Sequence, residues 1–162
     1  DIMNLSKLDE GAALPRTTVD LYALADGVMQ SLQGAAGRCG VTMRLLGQHE
    51  RVEGVEQLLR EMLYNLCDNA IKYNVPGGSV TINVWRNGQH PCVSVSDTGI
   101  GIPQAHQERI FERFYRVDKS HSREVGGTGL GLSIVKHAAQ YHGAQLELKS
   151  APGKGTAITV TF

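Results

Sequence analysis

The segment around Asn87-Gly88 constrains the fold of this chain more than any other part of the sequence. Residues 80–84 alternate apolar and polar side chains before it, and residues 91–96 form a second apolar-rich run after it. Asn-Gly is a preferred dipeptide for a two-residue hairpin turn, and so short a connection requires antiparallel pairing. The sequence therefore predicts an antiparallel β-hairpin built from two strands.

Periodic apolar residues predict the other helices and strands. Helices are expected from residue 21 to the glycine-containing break at 34–40, at 53–73 and at 128–142, with a short amphipathic helix at 107–115 and a helix end at 1–10 that stops at Gly11. Further strands are expected at 17–20, 41–46, 144–149 and 157–162. This order predicts an α+β fold, a two-layer α/β sandwich with a mixed, mostly antiparallel sheet and helices on one face.

Composition narrows the class of protein. The 162 residues suit one domain, and 41% hydrophobic residues suffice for a core. Sixteen basic residues balance sixteen acidic ones, so the chain lacks the charge that nucleic-acid binding requires. Cys39, Cys67 and Cys92 form no C-x-x-C pair, which argues against a disulfide framework or structural zinc and favours the cytoplasm. No apolar run reaches the length of a membrane span, so we expect no membrane contact.

The helix at 53–73 carries a narrow polar stripe. At about 100° per residue, Glu61, Asn65, Asp68, Asn69 and Lys72 share one side, opposite an apolar face. One interpretation is a solvated face with an Asp68–Lys72 ion pair. Two asparagines one turn apart favour a second interpretation, because Asn is a mediocre helix former while its amide oxygen is a suitable Mg²⁺ ligand. Lys72 is then placed to reach a phosphate.

Asp97 ends the second hairpin strand and precedes two glycines, Gly99 and Gly101. Asp often begins a turn before Thr-Gly, which is one interpretation. With both glycines, the carboxylate is also suited to accept a hydrogen bond from an exocyclic amine, while backbone without Cβ admits a flat ring. Tyr73 is placed either to stack on that ring or to serve as an ordinary core aromatic residue.

A glycine run at 126–131 opens the helix predicted at 128–142. Unpaired N–H groups and the helix dipole at such a start suit a phosphate. The chain has no G-x-x-x-x-G-K-[ST] motif, and a polar loop instead of a strand precedes these glycines, so neither the P-loop nor the Rossmann motif fits. By itself, such a run is equally typical of a flexible loop.

Basic and acidic side chains alternate between residues 108 and 124, just before the glycines. A mixed-charge surface accounts for them. A lid that closes over a nucleotide is the alternative, with Arg116 and Lys119 as its phosphate contacts.

Taken together, these segments resemble, in order and spacing, the motifs of two-component sensor histidine kinases. The resemblance covers residues 17–162 and points to the catalytic and ATP-binding domain, in the superfamily of gyrase, chaperone, histidine kinase and MutL ATPases. It implies the Bergerat-type ATP-binding fold. The motifs are Asn65-x-x-x-Asn69-x-x-Lys72-Tyr73, Asp97-x-Gly99-x-Gly101, Phe111-x-x-Phe114-Tyr115 and Gly127-Thr128-Gly129-Leu130-Gly131-Leu132.

The resemblance implies roles for individual residues. Asn65 would coordinate Mg²⁺, Asn69 and Lys72 would face the phosphates, Tyr73 would border the base, and Asp97 would fix adenine. Thr156, in a last small Gly-Lys-Gly-Thr motif, would lie near Asp97. The remaining residues expected at the nucleotide are Gly99, Gly101, Ile102, Tyr115, Arg116, Lys119, Gly127, Thr128, Gly129, Leu130, Gly131 and Leu132.

The implied function is that of a protein-histidine kinase domain, which binds ATP and Mg²⁺ and donates the γ-phosphate to a histidine on a separate domain. Glu61 occupies the position where ATP-hydrolysing relatives keep a catalytic base. Catalysis would otherwise be positioning and charge neutralisation. Two alternatives remain: an anti-sigma-type serine kinase or ATPase of the same superfamily, and a non-catalytic scaffold module.

Residues 1–11 resemble the end of a dimerisation and phosphoacceptor helix, which leaves residues 12–162 as the catalytic domain, with a lid at about 116–127. Of six histidines, only His49 precedes an acid, and it lacks the downstream proline of an acceptor motif. We therefore expect a monomeric piece of a longer, homodimeric protein that does not autophosphorylate alone. Its expected partners are the parent's phosphoacceptor domain and a response regulator, and the parent itself has a possible membrane anchor.

Overall fold

The computed structural model describes residues 14–113, 115 and 131–162. The predicted tail at 1–11 lies outside this part of the chain, as does the predicted lid at 116–127. The elements, in chain order, are β1 (Thr17–Asp20), α1 (Leu21–Arg38), β2 (Thr42–Gly47), β3 (Arg51–Gly54), α2 (Glu56–Lys72), β4 (Ser79–Asn87), β5 (His90–Asp97), a 3₁₀ turn (Gln104–His106), α3 (Gly131–Tyr141), β6 (Gln145–Ser150) and β7 (Thr156–Thr161).

A five-stranded sheet forms one layer, with the strand order β2-β4-β5-β7-β6. Only the β2–β4 pair is parallel, and the other three pairs are antiparallel. The predicted hairpin joins β4 to β5, but Asn87 is paired with His90, so the two turn residues are Gly88 and Gln89 and not Asn87 and Gly88. Gly88 has a φ of +64°, as both primed hairpin turns require at their first central residue. The predicted mixed, mostly antiparallel sheet is confirmed.

The three described helices form the second layer, with α2 packed between α1 and α3 and against β4 and β5. The apolar side of α2 provides the centre of the core, because Leu59, Met62 and Leu63 are fully buried there. Burying one such side chain contributes about 1.5–3 kcal/mol. The facing sheet residues that are also fully buried are Val80, Ile82, Val84, Val93 and Val160. The fold is therefore the predicted two-layer α/β sandwich.

A small second sheet was not predicted. β1 pairs antiparallel with β3, with Thr17 opposite Gly54 and Asp20 opposite Arg51. The prediction of a helix from residue 53 was therefore wrong over its first residues, because they complete β3 and α2 begins only at Glu56. A four-residue strand is too short to show a period, and its partner lies more than 30 residues away.

A distant histidine supports the start of α2. The residue before the helix, Val55, has no side chain that could cap it. Its N–H donates to His142 Nε2 at 3.0 Å, while His142 Nδ1–H donates to the Ala138 carbonyl at 2.7 Å. Burial lowers the pKa of His142, and the nearby positive charge of Arg16 acts in the same direction. The ring is therefore held neutral, with its proton on Nδ1.

Two other predicted helix boundaries differ from the structure. The first helix continues through Gly34 and ends at Arg38, because the penalty of about 1 kcal/mol for glycine in a helix is small beside burial of the helix's apolar face. The predicted helix at 107–115 is not formed: the backbone hydrogen bonds described there join residue i to residue i+3, as in Glu112 N to Arg109 O at 3.0 Å.

Among the described helices, none is long and apolar enough to span a membrane.

Candidate functional site

The polar stripe of α2 is neither fully buried nor fully exposed. All five residues, Glu61, Asn65, Asp68, Asn69 and Lys72, are half-buried. Asn65 Nδ2 donates to the Glu61 carbonyl at 2.7 Å, and Lys72 Nζ lies 2.9 Å from Asp68 Oδ2. The ion pair of the first interpretation therefore exists. Another element nevertheless covers part of the stripe.

The covering element is the start of α3. A Cβ atom added to Gly131 would lie 3.1 Å from Asn65 Oδ1 and 3.6 Å from Asn69 Nδ2. The last glycine of the glycine run therefore faces the two asparagines of α2. Leu132, the next residue, is half-buried and packs against the hydrophobic core.

Asp97 lies at the end of β5, directly opposite Thr156 at the start of β7. Its Oδ1 accepts the N–H of Gly99 at 2.8 Å and the N–H of Thr156 at 3.2 Å. Burial raises the pKa of the Asp97 carboxyl, although both hydrogen bonds act in the opposite direction. Both hydrogen bonds that the described residues make to this carboxylate end on Oδ1, so Oδ2 remains available for another donor.

Gly99 and Gly101 allow the loop after β5 to pass close to two other segments. A Cβ at Gly99 would lie 2.3 Å from the Tyr73 carbonyl, at the end of α2. Gly101 has a φ of +74°, and a Cβ there would lie 1.9 Å from the Ala151 carbonyl. No other residue fits at either position, so the glycines bring the Asp97 loop into contact with α2 and the β6–β7 turn.

Hydrogen bonds hold this loop on both sides. Ile100 N donates to the Tyr73 carbonyl at 3.0 Å, and Ile102 N donates to Ser150 Oγ at 2.8 Å. Gln107 Nε2 donates to the carbonyls of Ile102 and Ser150 at 2.9 and 3.0 Å. Nothing in the sequence singled out Ser150 or Gln107. The Ser150 hydroxyl binds Ile102, which is 48 residues away, and Gln107 binds the backbone carbonyl of Ser150, which is 43 residues away.

A second missed pair, Asn74 and Thr98, closes the loop from the side of β4. Asn74 Nδ2 donates to the Ser79 carbonyl at 3.0 Å, and Thr98 Oγ1 accepts the Ser79 N–H at 2.9 Å. These bonds fix the chain between α2 and β4 beside Asp97.

Of the remaining predicted site residues, only Tyr115 lies in the part of the chain that the structure describes. The hydroxyl of Tyr115 is hydrogen-bonded to His106 Nδ1, and the Arg109 guanidinium lies 4.6 Å from the centre of the Tyr115 ring. The structure thus places Tyr115 among residues of the 104–113 segment. Arg116, Lys119, Gly127, Thr128, Gly129 and Leu130 lie outside the described residues, as does Phe114.

The C-terminal half of α2 therefore links the two predicted binding segments. Its end contacts the Asp97 loop through Tyr73, and its Asn65 and Asn69 face Gly131 at the start of α3, which packs against α2. Amide and carboxylate oxygens on this helix are of the type that Mg²⁺ prefers. Within the described ranges, no group of three His, Cys, Asp or Glu residues is arranged to hold a metal ion.

Comparison with known proteins identifies the family of this chain. The profile of the histidine kinase-, DNA gyrase B-, and HSP90-like ATPase family matches residues 54–162. The sensor histidine kinase YkoH of Bacillus subtilis is 42% identical over 161 residues, which is 99% of this chain and 35% of YkoH. The sensor-like histidine kinase SenX3 of Mycobacterium bovis is 39% identical over 164 residues, which is 100% of this chain and 40% of SenX3.

Two solved structures show the same fold. The mycobacterial sensor histidine kinase MprB superposes with a TM-score of 0.79 at 28% identity, covering 91% of this chain and 96% of that one. Full-length ShkA, solved in complex with AMPPNP, superposes with a TM-score of 0.83 at 26% identity, covering 99% of this chain and 34% of that one. The chain spans about 35 to 40% of the length of YkoH and SenX3.

Proposed function

Because this chain belongs to the histidine kinase-, DNA gyrase B-, and HSP90-like ATPase family, and forms an ATP-binding catalytic domain of the histidine kinase type, we propose that it holds Mg²⁺-ATP for phosphoryl transfer to a histidine. The acceptor histidine belongs to a separate dimerisation and phosphoacceptor domain of the parent protein. The observation that carries the proposal is the contact of one helix, α2, with both the Asp97 loop and α3, whose first residue, Gly131, faces Asn65 and Asn69.

Asp97 recognises adenine in this proposal. Its Oδ1 is held by the N–H groups of Gly99 and Thr156, which fix the plane of the carboxylate. Its Oδ2 then accepts the N–H of the 6-amino group of the base. Gly99, Gly101 and Ile102 line the approach of the ring.

Tyr73 borders the base in this proposal. It ends α2, and its carbonyl already holds the loop that follows Asp97. Tyr115 enters the proposal as a contact at the margin of the nucleotide, beside the lid of residues 116–127.

The triphosphate and its metal ion lie along α2 and the start of α3. Asn65 Oδ1 would hold the Mg²⁺ ion, and Asn69 would face the phosphates. Lys72 exchanges its bond to Asp68 for a phosphate oxygen. Gly127 to Leu132, Arg116 and Lys119 complete the phosphate contacts. When bound, Mg²⁺ neutralises charge on the phosphate oxygens.

In the transfer step, an imidazole nitrogen of the acceptor histidine forms a bond to the γ-phosphorus. The bond between that phosphorus and the bridging oxygen breaks, and ADP leaves. Glu61, one turn before Asn65, would orient the acceptor or take its proton in this proposal. A response regulator then receives the phosphoryl group, on the cytoplasmic side of a parent that is a homodimer.

Titration calorimetry with AMPPNP tests the binding half of the proposal. We expect binding that strengthens when Mg²⁺ is added, and a smaller Mg²⁺ effect in Asn65→Ala. Leu46→Ala, an exposed change on β2, serves as the matched control. Binding that is absent in the wild type, or whose Mg²⁺ dependence is unchanged in Asn65→Ala, would contradict the assignments.

Transfer is tested by supplying ATP and the phosphoacceptor domain of the parent in trans. We expect an acid-labile phosphoryl group on that domain, as a phosphoramidate bond gives. An acid-stable phosphoserine on a protein substrate would favour the serine kinase alternative. Nucleotide binding without any transfer would favour the scaffold module.

A further inference from the structure

Two ion pairs with the same i, i+4 spacing lie on α2, and they differ in burial. Near the start of the helix, Arg60 Nη2 lies 3.5 Å from Glu56 Oε2, and both side chains are more than half exposed. Near its end, Lys72 Nζ lies 2.9 Å from Asp68 Oδ2, and these side chains are only 30% and 22% exposed. The second pair is shorter and partly removed from water, so its two charges interact more strongly.

The partly buried pair belongs to the stripe that is proposed to hold the phosphates. Lys72 shares one side of α2 with Asn65 and Asn69, and both asparagines face Gly131 at the start of α3. The ammonium group of Lys72 is already bonded to Asp68. A phosphate at this side of the helix therefore either shares the ammonium group with Asp68 or draws it away from the carboxylate.

Both arrangements leave a negative charge beside the phosphate. If the ammonium group is shared, the Asp68 carboxylate lies near phosphate oxygens of the same sign of charge. If the ammonium group moves away, the carboxylate loses its partner while it stays partly buried, and a buried charge without a partner is costly. In either case, Asp68 opposes the ligand that Lys72 binds.

We propose that Asp68 competes with the phosphates of the nucleotide for Lys72, so that it weakens the binding of nucleoside phosphates. The inference rests on the proposed phosphate site and adds a residue whose charge acts against the ligand. Asp68 is a positioning residue, because it acts on the nucleotide through the ammonium group of Lys72.

The alternative role of Asp68 is to prepare Lys72 for the phosphate, and the two roles predict opposite changes. In Asp68→Asn, the amide oxygen can still accept a hydrogen bond from Lys72, so the substitution keeps the contact and removes only the charge. If Asp68 competes, the ammonium group no longer faces a counter-charge and ADP binds more tightly. If Asp68 prepares Lys72, the variant binds ADP more weakly.

The exposed ion pair of the same helix supplies a matched control. Glu56→Gln also removes one negative charge from α2 and also breaks an i, i+4 pair. Glu56 and Lys72 are the two ends of this 17-residue helix, so they lie about 24 Å apart along its axis. That separation is well beyond the Debye length of about 8 Å at physiological salt. A gain that came from the net charge of the protein would appear in both variants.

Titration calorimetry with ADP and Mg²⁺ gives the dissociation constants of the wild type, Asp68→Asn, Glu56→Gln and Lys72→Met. We expect Asp68→Asn to bind ADP about fivefold more tightly, which is the size of the contribution of a partly exposed charge pair. Glu56→Gln should bind ADP as the wild type does. Lys72→Met should bind ADP more weakly, because it removes the cation and leaves the carboxylate of Asp68.

Unchanged or weaker ADP binding in Asp68→Asn, or an equal gain in Glu56→Gln, would overturn the proposal. Urea denaturation checks that each variant folds. If Asp68→Asn does not fold, Asp68→Ser replaces it, and its affinity for ADP should change in the same direction.

The Lys72→Met variant separates this proposal from the one on which it rests. Equal ADP binding in Lys72→Met and the wild type would refute the phosphate site at Lys72 and with it the role of Asp68. Weaker binding in Lys72→Met, together with no gain in Asp68→Asn, would leave the phosphate site standing and refute Asp68 alone.

Discussion

Replacing Asp97 with asparagine should separate adenine binding from folding. The two backbone N–H groups that Asp97 Oδ1 accepts, at 2.8 and 3.2 Å, can bond to the amide oxygen of an asparagine in the same way. The amide nitrogen then takes the place of Oδ2. Toward the 6-amino group of adenine, a donor now faces a donor.

The magnitude follows from the kind of bond that is lost. A hydrogen bond to a charged group contributes about 1.5–3 kcal/mol, so Asp97→Asn should weaken AMPPNP binding about 10- to 150-fold. Calorimetric titration of both proteins at pH 7.5 measures this ratio. Affinities that agree within twofold would refute the assignment of Asp97 as the adenine acceptor.

The same variant makes a prediction for stability without ligand. Burial raises the pKa of Asp97 in the folded state, so this group contributes stability below its ordinary pKa and loses that contribution as pH rises through the raised value. Asp97→Asn removes a buried charge at neutral pH. We expect its free energy of unfolding, from urea denaturation, to equal or exceed that of the wild type at pH 7.5, with the advantage shrinking toward pH 3.5. A large loss of stability at pH 7.5 would show that the carboxylate holds the fold.

Three further predictions concern the scaffold. Gly155→Ala places a Cβ 2.0 Å from the Asp97 carbonyl oxygen and should lower the free energy of unfolding. Gly153→Ala is the control, because its φ of +74° also costs an alanine about 1–2 kcal/mol, but its Cβ meets nothing within 4 Å. Gly155→Ala should therefore lose more stability in urea denaturation, and equal losses would refute the close approach. Leu63→Ala, at a fully buried position, should cost about 2–5 kcal/mol by the same assay, and a loss below 1 kcal/mol would contradict its place in the core. His142 has a lowered pKa in the folded state, so stability should decrease as pH falls below the ordinary value of 6.5, and His142→Gln should flatten that dependence; identical pH profiles would refute the neutral ring.

Local patterns were sufficient for most of the architecture. The alternation in residues 80–84 and the Asn87-Gly88 turn predicted the hairpin, because a two-residue loop fixes both pairing and direction. The apolar side of α2 is buried as its helical spacing predicted. Both features depend on neighbours within a few residues, which is where sequence periodicity is informative.

Features that depend on distant partners could not be predicted in this way. β3 is too short to show a period and forms only by pairing with β1. The described residues of the segment predicted as a helix at 107–115 form successive i to i+3 turns, with Gln107 bonded to the backbone of Ile102 and Ser150.

The residues of the candidate site also differ in whether a local pattern or a distant partner identifies them. Asp97, Gly99, Gly101 and the α2 stripe stand out locally, because their residue types are unusual for a strand end or a helix face. Ser150 is an ordinary strand residue in the sequence, and only the folded chain brings its hydroxyl into hydrogen bonds with Ile102 and Thr156.

The most direct test of the account is a crystal structure of this chain with Mg²⁺ and AMPPNP. The account predicts the adenine 6-amino group within hydrogen-bonding distance of Asp97 Oδ2, and Mg²⁺ coordinated by Asn65 Oδ1, so that one nucleotide contacts both segments joined by α2. A nucleotide bound elsewhere, or one whose base does not contact Asp97, would contradict the central claim.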